Sequence, residues 1–108
     1  MIKILESDNT PDSVYDKIAI SFYKIGMMQY DKGDFVNSIK NIEKAIECID
    51  IGRPSAYENT KALYLQNLSA AKWNFKEKGD KMGACEDLRN AADLDSAYYD
   101  QYLRYCIN

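Results

Sequence analysis

The chain contains no histidine, only two prolines, three cysteines and a single tryptophan. Without histidine, a cysteine or serine nucleophile loses its usual base. Cys48, Cys85 and Cys106 are odd in number and show no CxxC spacing, and no histidine is present to complete a zinc set. Neither GxGxxG nor GxxxxGK[ST] occurs, so no phosphate cradle is legible. Asp93-Leu94-Asp95 begins like a calcium loop but lacks the glycine and the closing glutamate at the right offsets. Adjacent carboxylates such as Glu86 and Asp87 read as a solvated helix face. The expectation is a non-catalytic chain with no cofactor and no metal.

Long apolar runs are missing too. None approaches the roughly 18 uncharged residues that a membrane helix needs. The opening Met1-Ile2-Lys3-Ile4-Leu5-Glu6 is too short and too acidic for a signal peptide. These absences predict a soluble, cytoplasmic chain with no membrane partner, or an exported one if it is a fragment of a longer precursor. Nor is there an excess of basic residues. Lys and Arg number 14 against 17 Asp and Glu, a net charge of −3, which argues against binding nucleic acid, where affinity comes from a basic face on phosphates.

What is present is an internal repeat. A Gly-Asp step occurs at Gly33-Asp34 and again at Gly79-Asp80, and after each the same pattern of small and apolar residues follows. Ser38-x3-Ile42-x2-Ala45 matches Ala84-x3-Leu88-x2-Ala91, every pair 46 residues apart. Upstream, Phe22-x2-Ile25-Gly26-x2-Gln29-Tyr30 corresponds to Leu68-x2-Ala71-Lys72-x2-Phe75. Small residues at fixed offsets on consecutive helices let those helices approach closely, so each copy reads as a helical hairpin. With 108 residues, 46% hydrophobic and 29% charged, the whole reads as one ordinary globular domain.

This pattern resembles the tetratricopeptide repeat family, W-x2-L-G-x2-Y, then A-x3-F, then P, over roughly 34 residues. Residues 19–52 and 65–98 would be the two units. The first keeps Phe22, Gly26, Gly33-Asp34-Phe35 and Ala45, but has Ser38 at a small position, Gln29 for an aromatic and Asp50 for proline. The second keeps Phe75, Gly79, Ala84, Leu88 and Ala91, with Lys72 at the glycine and Ser96 at the proline. Residues 83–92, with a following short helix and Cys106, also look like the closing repeat of bacterial members of the family. The spacing of 46 leaves about 12 residues beyond the usual 34 or so. They fall before the second unit, at the front of helix 3, and helix 1 likewise starts about eight residues ahead of its unit. Both first helices are thus extended at their N-terminal ends, lengthening a groove or offering a dimer surface.

The elements follow from caps and spacing. Thr10-Pro11-Asp12 opens helix 1, about 11–31, in which Val14, Ile18, Ile25 and Met28 recur at helical intervals. Asp34 caps helix 2, which carries Phe35, Ile39, Ile42, Ala45, Ile46 and Ile49 and ends at Gly52 and Pro54. Ser55-x-x-Glu58 reads as a capping box for helix 3, about 56 to Gly79. Asp80 caps helix 4, about 81–93, and Asp95 or Ser96 caps a final helix, about 97–106. The fold class is therefore all-α, antiparallel helical hairpins stacked as a short superhelix of about five helices.

The final helix has Tyr98, Tyr102 and Tyr105 on one stripe and Tyr99, Leu103 and Cys106 on the next. One stripe should pack on helix 4, leaving the other as the outer face of a cap or as a surface for self-association. Cys48 and Cys85 read as small core residues. A bond between Cys85 and Cys106, in adjacent predicted helices, stays open and goes with an exported parent.

In the resembled family the functional surface is the concave groove lined by the first helix of each hairpin. Its offsets fall on Ile20, Tyr23, Met27, Tyr30 and Asp31 in helix 1 and on Gln66, Ser69, Trp73, Lys76 and Glu77 in helix 3. Tyr23, Met27, Tyr30 and Trp73 suit an apolar or mixed peptide as partner. Covering the next helix is the other reading of those side chains, and for Met27 it is the favoured one. Family members that hold acidic chaperone tails present lysines, asparagines and an arginine at these offsets, which Tyr23, Met27, Ser69 and Trp73 replace here. The implied function is a non-catalytic module that binds a protein or peptide. The alternative is a structural C-terminal piece of a longer array or a homodimerisation unit.

Overall fold

The computed structural model describes residues 10–75 and 81–107, with side chains from Val14 onward. Helix α1 spans Thr10–Asp31, α2 Phe35–Gly52, α3 Tyr57–Asn74 and α4 Lys81–Leu94. A 3₁₀ turn, Ser96–Tyr98, leads into the short α5, Tyr99–Tyr102, and a π-helical turn, Leu103–Ile107, follows. The described residues form no strand. Successive helices pack as hairpins, α1 on α2 and α3 on α4, with α2 also against α3.

The turns explain the boundaries. Gly33, at φ +81°, takes the left-handed conformation that an L side chain resists. Asp34 then caps α2, accepting from the Asn37 backbone N–H at 3.4 Å and from Asn37 Nδ2 at 2.8 Å. At the far end the left-handed residue is Arg53, φ 50°, whose N–H reaches the Ile49 carbonyl at 2.8 Å. Asp95 caps the last turn through the Ala97 N–H at 3.0 Å.

Three expectations are corrected. The residue before α3 is Ala56, with no side-chain cap, so Ser55 and Glu58 form no capping box. Instead the turn is tied from outside it: Asp50 Oδ1 accepts from the Tyr57 hydroxyl at 2.6 Å and from Lys61 Nζ at 2.9 Å. Helix α3 stops at Asn74, because Phe75 adopts extended backbone and its N–H tightens onto the Lys72 carbonyl. The expected continuation to Gly79, and the Asp80 cap, lie outside the described residues. Finally, the last element is no single regular helix. Its side chains divide between two neighbours, Tyr105 meeting Trp73 on α3 and Cys106 bonded to Cys85 on α4.

The core is built on small residues that let the backbones close up. Ala19, Ala45, Ala62, Ala71, Ala84 and Ala91 are fully buried, with Ile42, Ile49, Leu65, Leu68 and Leu88 filling between them. Gly26 marks a close approach of α1 and α2: a Cβ there would lie 2.8 Å from Ile42 Cγ1 and 3.2 Å from the Ser38 carbonyl. Matched repeat positions on α2 and α4 share one fate, since Ser38 and Ala84, Ile42 and Leu88, and Ala45 and Ala91 are all buried.

Polar pairs serve the positions that depart from the repeat pattern. Gln29 accepts from Asn41 Nδ2 of α2 at 2.8 Å. Lys72, where the first unit has Gly26, places its ammonium 2.8 Å from the Asp87 carboxylate, which is buried and not on the solvated helix face expected of it. Burial pushes the Asp87 pKa up, and Lys72 only partly offsets it.

Candidate functional site

Two helices carry the expected groove, and their side chains prove to be shared between the groove and the joint that holds the hairpins together. Tyr23 stacks on the buried Tyr64 of α3, ring centroids 4.4 Å apart. Its hydroxyl accepts from Asn67 Nδ2 at 2.7 Å. Two turns further on, the Tyr30 hydroxyl accepts from Asn74 Nδ2 at 3.1 Å. The two bonds form a rung pair between α1 and α3. Burial raises the Tyr23 pKa and pushes Tyr64 up to about 12. Met27 packs against the core, and Tyr30 meets Phe35 edge-on at 5.4 Å. Ile20 and Asp31 are exposed and Gln66 is half-buried.

Ser69 and Trp73 belong to a different feature. Ser69 is buried and donates to the Ala84 carbonyl at 2.6 Å, tying α3 to α4. Trp73, half-buried, lines a cleft of about 220 Å³ together with Ser69, Ala70, Asn74, Leu88, Gln101 and Tyr105. Tyr105 presents itself edge-on to the indole, centroids 6.1 Å apart. The Lys81 ammonium lies 4.4 Å from the indole centroid, in range of a cation–π contact. Lys76 and Glu77 lie outside the described residues.

The cleft therefore has three walls: α3, α4 through Leu88, and the C-terminal segment through Gln101 and Tyr105. Sequence reading placed Ser69 and Trp73 on the surface of α3 but missed Leu88, Gln101 and Tyr105 as their companions. Leu88 carried only a core signal and Gln101 none. Tyr105 carried one, its place beside Cys106. Among the described residues, no three Cys, Asp or Glu side chains converge, and no helix is long and apolar enough to cross a membrane.

A second surface lies at the other end of the molecule. Val14, Ile18, Ile25 and Met28, whose spacing marks α1 as a helix, are 46%, 39%, 46% and 59% exposed. Their stripe faces solvent. Its meaning is given by the repeat register. Ile18, Ser21, Ile25 and Met28 correspond, 46 residues on, to Tyr64, Asn67, Ala71 and Asn74. On α3, three of those four make the contacts to Tyr23 and Tyr30, and Ala71 is fully buried. The stripe on α1 thus occupies the same register positions by which α3 meets α1, with nothing seated against it among the described residues.

No protein-family model, curated protein or solved structure matches this chain.

Proposed function

We propose that this chain is a two-hairpin array of the tetratricopeptide kind, acting without chemistry of its own as a protein-interaction module. It captures a large apolar or aromatic side chain of a peptide or helix in the cleft beside Trp73. The observation that carries this reading is the cleft itself, lined by the Trp73 indole, the Tyr105 ring set at an angle to it, Asn74 and Gln101. At about 220 Å³ it falls below the range of roughly 300–1,000 Å³ usual for small-molecule sites and suits one anchoring side chain. The family assignment is supported by the shared burial of repeat partners on α2 and α4.

Trp73→Ala and Tyr105→Ala variants test the reading as immobilised baits in lysate of the source cell. A protein retained by the native chain and lost by both variants supports it; equal retention by all three baits rejects it. Tyr23 is unsuited to this test because it also stacks on Tyr64 and joins the hairpins.

The exposed stacking stripe of α1 favours a second reading, in which the chain is a structural unit that seats on another helical hairpin, from a longer array or a second copy. Light scattering over a range of concentrations separates the two. A constant monomer mass leaves no self-association, whereas a dimer abolished by Ile18→Lys with Ile25→Lys places the stripe at its interface.

A further inference from the structure

The Cys85–Cys106 bond lies beside the cleft on both sides. Cys85 is three residues before Leu88 and follows Ala84, whose carbonyl receives the Ser69 hydroxyl. Cys106 follows Tyr105, and Cα atoms of the two cysteines are 5.7 Å apart. The bond therefore joins the α4 wall to the C-terminal wall within a few residues of the groups that line the cleft. Little else fixes the second wall. No residue from Ser96 to Ile107 is fully buried, and its 3₁₀, α and π turns form one short unbroken run. A helical run this short is marginal in water by itself. Leu94 and Tyr98 pack on the core and Tyr99–Tyr102 packs on α4, so Tyr105 lies beyond these contacts, next to Cys106. Cys85 and Cys106 are both partly exposed, within reach of a reductant.

We propose that this disulfide is a redox latch on the cleft, closed when oxidised and open when reduced. This rests on the binding reading above and adds its regulation. In the opening step a dithiol reductant attacks one sulfur of the pair, giving a mixed disulfide, and its second thiol resolves it. The protein gains two electrons and two protons as the Cys85 and Cys106 thiols, and the reductant leaves as its own disulfide. Residues beyond Tyr102 then lose their tether, Tyr105 leaves the indole, and the cleft loses that part of its C-terminal wall. Oxidising compartments close the latch and thiol-reducing ones open it.

Trp73 is the only tryptophan, so its fluorescence reads the latch directly and without any partner. Dithiothreitol is added to the native protein, with two new free thiols confirmed by alkylation and mass. The expected result is a red shift of Trp73 emission and stronger quenching by acrylamide, while far-UV circular dichroism keeps most of its helical signal. Cys106→Ser should show the open values without reductant, and Cys48→Ser should respond as the native protein does. Tyr105→Ala, with the bond intact, gives the reference for an indole stripped of its neighbour. Trp73 emission and quenching that ignore reduction overturn the proposal. So does loss of the whole helical signal, because the bond would then hold the fold and not the cleft. A latch that responds while the bait variants still capture normally would retain the switch and reject the cleft as the binding site.

Discussion

Ser38 is fully buried on α2, where its repeat partner on α4 is Ala84, and its hydroxyl has no hydrogen-bond partner in the structure. A buried hydroxyl without a partner costs about 1–3 kcal/mol, so Ser38→Ala should raise stability by about 1 kcal/mol, seen as a higher urea midpoint at unchanged slope. Lys72 has the opposite character. It supplies the ammonium 2.8 Å from Asp87, whose pKa burial holds above the ordinary aspartate value. A raised pKa means the folded state binds the proton more tightly than the unfolded one. The stability linked to Asp87 is therefore complete below the ordinary aspartate value and lost as pH rises through the raised one. Lys72→Met removes the offsetting charge and should deepen that loss, costing about 3 kcal/mol near neutral pH and little where Asp87 is protonated. Urea midpoints measured against pH for both proteins check the sign. Gln29 and Asp50 are also departures from the repeat pattern, and each has acquired a polar partner on a neighbouring element. Their presence was legible in the sequence, whereas their partners were not, because Asn41 and Lys61 become neighbours only after the helices pack.

Between elements, the close approach of α1 and α2 depends on Gly26. A methyl group there meets Ile42 Cγ1 at 2.8 Å and a backbone carbonyl at 3.2 Å, and the carbonyl has little freedom to move. Gly26→Ala should therefore lower stability by about 1–3 kcal/mol, despite the better helix propensity of alanine, as overpacking does elsewhere. Thermal unfolding of the two proteins decides it, and an unchanged or higher midpoint would show that the helices separate without cost. Helix existence and order were readable from spacing and from Gly33-Asp34, since both are local. The start of α3 was misread because Ser55-x-x-Glu58 has the letters of a capping box, while Tyr57 and Lys61 instead turn back to Asp50. The last helix was misread as regular because its tyrosines and cysteine have helical spacing, yet its partners lie on two different helices.

For the whole molecule, the two ends differ. The C-terminal end is covered by a segment that packs on α4 and reaches Trp73, while the α1 end shows an apolar stripe to solvent. Ile18→Lys with Ile25→Lys should leave the monomer's stability within about 0.5 kcal/mol, since both side chains are substantially exposed. Denaturation at low protein concentration measures that, and a larger loss would mean the stripe contributes to the fold itself. The same register that identifies the stripe also explains why α3 is more deeply buried than α1. Tyr64 and Ala71 have a hairpin in front of them, and among the described residues their counterparts Ile18 and Ile25 do not.

By itself, the sequence determined the all-α class, the four long helices, the turn at Gly33-Asp34 and the buried small-residue face shared by α2 and α4. These depend on periodicity and on short-range chemistry, which a repeat of 46 residues states twice. Tertiary structure alone decided which apolar stripe of α1 meets solvent, that Tyr23 and Tyr30 link the hairpins, that Cys85 pairs with Cys106, and that Trp73 shares a cleft with Tyr105. A core face and a stacking face have the same spacing of apolar residues, so spacing cannot tell them apart. Groups distant along the chain meet only through the angles at which helices pack, and no local pattern records those angles.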